Sequence, residues 1–305
     1  MIKRIRIGSR GSKLALWQAN FVKKNIEKEF PSIHAIVKII KTQGDKDQIS
    51  SLTKLGGQGI FTKTIEHALI KREIDVAVHS LKDLPSQMSD LVSLTAVLSR
   101  GPVNDVFIGL DNSHFYELLP GATIACGSIR RRAQLLSIRN DLQFVDVRGN
   151  IETRISKFQQ NRYDGIIMAE AALVRLDLKD IHYYRFSLDE MLPAVGQGAI
   201  GIQTRKQDES LQSMLETVND IETFLCVRSE RAFLHRLDSG CQFPVAAYAE
   251  IQEDELNLKG LVASRDGTTI IEESIGGKSI EAEKIGIKLA EVLIEQGALK
   301  ILQAN

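Results

Sequence analysis

Cysteine is scarce in this chain and poorly placed for the structures it usually builds. Cys126, Cys226 and Cys241 are odd in number and far apart, and no CxxC or Cys/His cluster of zinc spacing accompanies them. Neither a disulfide framework nor a metal site is expected. Net charge is also missing. The 39 basic residues are matched by 39 acidic ones, so there is no surplus with which to hold an acidic surface loosely. With one tryptophan and no recognisable nucleic-acid signature, the run Arg130-Arg131-Arg132 is a poor nucleic-acid contact. On a helix, three consecutive residues cannot share one face. The first residues, Met1 to Gly8, alternate charge with apolar side chains and lack the unbroken apolar stretch of a signal peptide or membrane span. A soluble cytoplasmic protein, without nucleic-acid or membrane partners, is expected.

What is present is enough apolar sequence, 43% of 305 residues, to bury two or three cores. Ile5–Gly8 reads as a strand, Ser9–Gly11 as a loop, and Ser12 as the N-cap of a helix with Leu14, Trp17, Phe21 and Ile26 on one face. The same strand, loop and helix order recurs. Strands are expected at Ile74–Ser80, at Thr123–Cys126 before Ser128, at Phe144–Val147 before Asn150, and at Tyr163–Ala169 before Glu170. Such near-continuous apolar strands between helices predict parallel sheets covered on both faces. Val97–Asp105 and Leu192–Gly201 read as crossings between paired α/β lobes. From Ile221 the pattern becomes a helix, a loop holding Cys241, and strands near 245–251, 256–263 and 268–274, with Asp266-Gly267 as a hairpin signal and a last helix near 280–296.

Arginine gathers where strands give way to helices: Arg10, Arg130, Arg131, Arg148 and, a little beyond its strand, Arg175. Ligands of open α/β sheets bind beyond the carboxyl ends of the strands, where helix N-termini offer free N–H groups. Guanidinium forks at those ends suit carboxylate or phosphate, and Arg154, one turn into its helix, can face the same mouth. His79-Ser-Leu-Lys-Asp-Leu-Pro85 closes a strand with a Lys-Asp pair, and a carboxylate among arginines stays ionised and stabilises developing positive charge. His79 itself reads as a satisfied strand-end histidine. Cys226, inside a helix, reads as a buried small hydrophobe, whereas Cys241 lies in a Gly/Ser/Pro-flanked loop where a thiol is reachable. Lys41–Gly59 is a long polar loop of the kind that serves as a lid or binding loop or stays disordered, and its Gly56-Gly-Gln-Gly59 is not a Walker A motif, because no GK[ST] follows.

Several motifs occur together and in order: Ser9-Arg10-Gly11-Ser12 with Leu14 to Gln18, Val78 to Pro85, Gly127 to Arg131, Val147-Arg148-Gly149-Asn150, Leu192 to Gly198 and Gly240-Cys241-Gln242. Together they resemble the hydroxymethylbilane synthase (porphobilinogen deaminase) family, nearly end to end. The resemblance implies two periplasmic-binding-protein-like (type II) α/β lobes, 1–99 with 199–217 and 104–193, with the cleft between them. It adds a smaller C-terminal α+β domain, 221–305, that carries the cofactor cysteine, in a monomer. It implies a dipyrromethane cofactor on a thioether to Cys241, four porphobilinogen units added with loss of ammonia, and hydrolytic release of the linear tetrapyrrole. By the same resemblance Asp83 is the catalytic carboxylate, which stabilises the cationic azafulvene and helps move the proton. Arg10, Arg130, Arg131, Arg148, Arg154 and Arg175 would hold the acetate and propionate groups, with Ser12, Ser80, Lys82 and Ser128 assisting. Gln18 and Gln197, inside two of the motifs, join that ligand set, Phe61 follows the mobile loop, and Arg132 falls outside the set. Lys13, Cys126, Gly127, Gln43 and Gln58 depart from the family's common residues. A non-catalytic two-lobed protein for a small anion is the competing reading. It has no need of Asp83 or of a reactive thiol.

Overall fold

In a computed structural model of the chain, residues 2–41, 59–238 and 243–304 are described. Most of the predicted loop, including Gln43 and Gln58, and Cys241 with its neighbours lie outside these residues, as does the side chain of Phe61. Two compact units result: Met1–Gly101 with Gly198–Val227, and Pro102–Gln197 with Arg228–Asn305.

The first stretch of chain forms β1 (Arg4–Ser9), α1 (Lys13–Glu29), β2 (His34–Ile39), α2 (Gly59–Ile70), β3 (Val76–Ser80) and β4 (Val92–Leu98). The next forms β5 (Asp105–Gly109), β6 (Thr123–Ala125), α3 (Ile129–Ile138), β7 (Gln143–Val145), α4 (Ile151–Asn161), β8 (Gly165–Ala169), α5 (Glu170–Arg175) and β9 (Tyr184–Arg185). The chain then gives β10 (Ile200–Arg205), α6 (Glu209–Leu215) and α7 (Ile221–Arg236). It ends with β11 (Val245–Gln252), β12 (Glu255–Ala263), β13 (Ile270–Lys278), α8 (Ala282–Glu295) and α9 (Ala298–Ala304).

Two five-stranded sheets follow one plan. Their orders are β2-β1-β3-β10-β4 and β7-β6-β8-β5-β9. In each, three parallel strands are followed by one reversed strand and an edge strand. The expectation of two α/β lobes holds, and so does that of covered sheets. In the first unit one face packs Ile5, Ile7 and Val78 against Val22 and Ile26 of α1, and the other packs Ala77 against Ile65 and Leu69 of α2. In the second, Phe107 and Ile124 meet Leu135 on one face, while Val106 and Met168 meet Phe158 on the other. Each fully buried Val, Leu, Ile, Phe or Met side chain among these contributes about 1.5–3 kcal/mol. The expectation of purely parallel sheets fails at β5 and β10. Each follows a crossing segment and enters its sheet from the carboxyl side of its neighbours, so it runs the other way.

The predicted face of α1 is also off by part of a turn. Gln18, Ala19, Val22 and Ile26 are buried, so of the four expected side chains only Ile26 is. Trp17 is partly exposed and stacks on Phe21 with ring centroids 5.1 Å apart.

The C-terminal strands form an antiparallel sheet, β11-β12-β13, with α8 lying on β12 and β13. The expected Asp266-Gly267 turn joins the last two. The Asp266 carboxylate accepts from Thr268 N at 3.1 Å and from Ser264 Oγ, and Gly267 takes φ +70°, a conformation natural to glycine. Ala133 and Leu192 pack with Ala246, Leu261 and Ala263, which joins this sheet to the second lobe.

Candidate active site

In the first unit the parallel strands β1 and β3 are neighbours, so their carboxyl ends share one edge. Ser9 and Arg10 leave one, Ser80 the other. Ser12 caps α1 as expected, its Oγ accepting from Ala15 N at 3.3 Å, and Lys13 occupies the first helical position. Arg10 is half-buried. Gln18, predicted as a ligand, bonds Ser80, with Nε2 donating to Oγ at 2.8 Å. It thereby fixes the hydroxyl that ends β3.

After Ser80 the chain makes a single 3-10 turn over Leu81–Asp83. Leu81 and Leu84 are buried and pack with Val97, Ala199 and Val227. They stand three positions apart, one turn of a 3-10 helix, so they anchor the same side of the turn. Lys82 is left half-buried and Asp83 exposed, where its carboxylate can meet a ligand. His79 departs from expectation. It is buried, its Nε2 has no hydrogen-bond partner among the described residues, and burial pushes its pKa down to about 4 against a smaller opposing effect of Gln203. It is neutral at physiological pH.

In the second unit β6, β7 and β8 are parallel and their carboxyl ends lie together. Ser128 caps α3, accepting from Arg131 N at 3.5 Å, and Asn150 caps α4, accepting from Thr153 N at 2.8 Å. Both helix N-termini thus open at this edge with their positive dipole ends. Between Arg148 and Asn150, Gly149 sits at φ +122°, and a Cβ there would lie 2.7 Å from Thr153 Cβ. Arg154 reaches back from the first turn of α4, its Nε donating to Gly149 O at 2.9 Å. Arg148 is half-buried. Burial pushes Arg175 down to about 10.

Arg130 and Arg131 are almost fully buried, at 5% and 7% exposure. Both pair with Asp105, at 2.6 Å in each case. Gln197 donates to the same carboxylate at 2.9 Å. Sequence reasoning missed Asp105. Its only local signal is a lone acid at the junction between the crossing and the apolar Val106-Phe107-Ile108. Arg132 turns away as the helix geometry required, donating to Cys126 O and pairing with Asp146 at 2.6 Å. Cys126 is buried, and burial pushes its thiol pKa up. Cys226 is likewise buried in α7. Among the described residues no cluster of three or more metal-ligating side chains gathers, and no helix is long and apolar enough to cross a membrane.

A dipyrromethane carries acetate and propionate groups on each ring and two pyrrole N–H groups. Each edge by itself carries groups that fit these chemically: on the first unit hydroxyls, a guanidinium and an ammonium for carboxylates and the exposed Asp83 as an acceptor for N–H, and on the second a hydroxyl, guanidiniums and open helix N-termini for carboxylates. Comparison with known proteins agrees. Residues 5–213 match the family described as porphobilinogen deaminase, dipyromethane cofactor binding domain, and residues 224–295 match porphobilinogen deaminase, C-terminal domain. Porphobilinogen deaminase of Carboxydothermus hydrogenoformans is 45% identical over 303 residues, covering 99% of this chain and 97% of that protein. The enzyme of Geobacter sulfurreducens is 43% identical over 301 residues, covering 99% and 94%. Among solved structures, the methionine binding protein MetQ overlays with a TM-score of 0.46 at 11% identity, covering 73% of this chain and 92% of that one. The chain belongs to the porphobilinogen deaminase family.

Proposed function

We propose that this transferase builds hydroxymethylbilane with Asp83 as its catalytic carboxylate and Cys241 as the attachment point of its dipyrromethane. The observation that carries the reading is the end-to-end family match, within which Asp83 stands exposed at the carboxyl edge of β3. When bound, the dipyrromethane supplies a primer whose free α-carbon takes up incoming porphobilinogen units. Asp83 accepts hydrogen bonds from pyrrole N–H groups and stabilises the positive charge that develops as ammonia leaves. It also receives and returns the proton displaced at the attacking carbon, a role that requires only a carboxylate within hydrogen-bond reach. Arg10, Ser12, Ser80 and Lys82 hold substrate carboxylates on the first unit. On the second, Ser128, Arg148, Arg154 and Arg175 do so, with Arg130 and Arg131 offering the N–H groups they do not give to Asp105 or to the carbonyls of Leu192 and Ile167. Gln18 and Gln197 act by holding Ser80 and Asp105 in place. Phe61 serves the loop that precedes it.

Three domains, 1–99 with 199–217, 104–193 and 221–305, a monomeric state and a cytoplasmic setting complete the proposal, with no nucleic-acid or membrane partner. A balanced charge of 39 against 39 supports the absence of loose polyanion binding. A receptor for a small anion gains nothing from a carboxylate held out at the mouth of its site, which weighs against the non-catalytic reading. Intact-protein mass spectrometry of wild type and Cys241→Ser, expressed in a host replete with porphobilinogen, tests the assignment. Wild type should carry the added mass of two linked pyrroles and the variant should lack it. An unmodified wild type would sink the enzyme assignment.

A further inference from the structure

We propose that Asp105 is a positioning residue for the reaction: a sealed internal carboxylate, itself held by Gln197, that aims Arg130 and Arg131 at the ligand's acidic groups. The inference rests on the proposed role of those side chains in ligand binding. Its physical basis begins with topology. Because β5 runs antiparallel to β8, its first residue, Asp105, pairs with the last residue of β8, Ala169. A residue at the start of β5 therefore reaches the carboxyl edge where the arginines gather.

The contacts are specific. Arg130 donates through Nη2 to Asp105 Oδ2 at 2.6 Å and through Nη1 to Leu192 O at 2.6 Å. Arg131 donates to Asp105 Oδ1 from Nε at 3.1 Å and from Nη2 at 2.6 Å, and from Nη1 to Ile167 O at 3.0 Å. Gln197 Nε2 adds a bond to Oδ1 at 2.9 Å and one to Val103 O at 2.7 Å. Asp105 is 0% exposed, so water does not compete for its oxygens. The Leu192 carbonyl is itself fixed, since Leu192 N donates to Gln134 Oε1 at 2.7 Å and Gln134 Nε2 donates to Leu192 O at 3.0 Å.

A guanidinium has five N–H groups in a rigid fork, so fixing two or three of them fixes where the others point. One carboxylate also balances only one of two guanidiniums, and the surplus positive charge suits an anionic ligand. A plain structural ion pair would neutralise itself. A flexible pair of arginines would have to be ordered at each binding event, at a cost in entropy. Asp105 removes that cost before the ligand arrives.

The test compares wild type, Asp105→Asn and Asp105→Glu by intact mass, thermal unfolding and steady-state turnover of porphobilinogen. Asn keeps the shape but turns an amide N–H₂ toward the guanidiniums. Losing charge-assisted bonds of this kind should raise KM about tenfold or more in the cofactor-bearing fraction, with kcat changed less than about threefold. The cofactor-bearing fraction itself should fall. Asp105→Glu, which keeps the charge but displaces it by one methylene, should fold, recover the cofactor-bearing fraction and show a smaller rise in KM. It keeps the question open to refutation if Asp105→Asn does not fold. A folded Asp105→Asn or Asp105→Glu with wild-type KM and cofactor content, whatever its melting temperature, would overturn the proposal. Wild type lacking cofactor and turnover would instead overturn the assignment of the reaction.

Discussion

The two α/β lobes share a sheet plan yet place the carboxylates at their sheet edges in opposite ways. In the first, the reversed strand β10 opens with Ile200, opposite Ser80, and the carboxylate stands beyond the edge on the exposed turn at Asp83. In the second, the reversed strand β5 opens with Asp105, which is sealed among guanidiniums. The difference teaches that position, not residue type, decides what an aspartate does. An exposed carboxylate can exchange protons and meet a ligand. One that is buried and saturated by donors can only hold its neighbours still.

That contrast can be broken most sharply at Asp83. Asp83→Asn should lower turnover by about a hundredfold or more, the usual contribution of a positioned acid or base, while the melting temperature and the bound cofactor mass stay as in wild type. A variant that turns over normally would remove Asp83 from the chemistry. The converse holds at the other carboxylate. Arg131→Met removes one of the guanidiniums paired with Asp105 and should cost about 3 kcal/mol of stability, as breaking a buried pair does, read from the urea midpoint.

His79 sharpens the comparison, because it is a buried titratable group directly ahead of the Asp83 turn. Its folded pKa of about 4 lies below the unfolded value of 6.5, so the unfolded chain binds the extra proton first. Stability is full above pH 6.5 and falls as pH drops towards 4, by roughly 3 kcal/mol from this group. Urea midpoints measured from pH 7 to pH 4 should therefore fall more steeply for wild type than for His79→Gln. Parallel curves would remove the effect. The smallest change is expected at Ser12→Ala, where a lost N-cap costs about 1 kcal/mol and should appear as a slight lowering of the melting temperature.

Much of this was legible along the chain because it is local. Ser12, Ser128 and Asn150 were readable as helix starts from the residue types alone, and each does cap its helix. The Asp266-Gly267 turn was readable for the same reason. Orientation was not. Nothing local tells β5 or β10 to run backwards, since that follows from where the preceding crossing delivers the chain. Asp105 was missed with them, because its partners lie 25, 26 and 92 residues away. The face of α1 was misread because Leu14, Trp17 and Phe21 form an apolar stripe beside the buried one, and only packing chooses between adjacent stripes.

The central place of β10 in the first sheet has a consequence for how the protein is made. β10 lies between β3 and β4, although it is separated from β4 by the whole of β5 to β9. As the chain leaves the ribosome, the first lobe therefore has a slot in its sheet, with two strands waiting for a third not yet synthesised. Such unpaired edges invite pairing with other chains, and closing so long a loop slows folding. The first sheet thus cannot be completed until residue 205 has emerged.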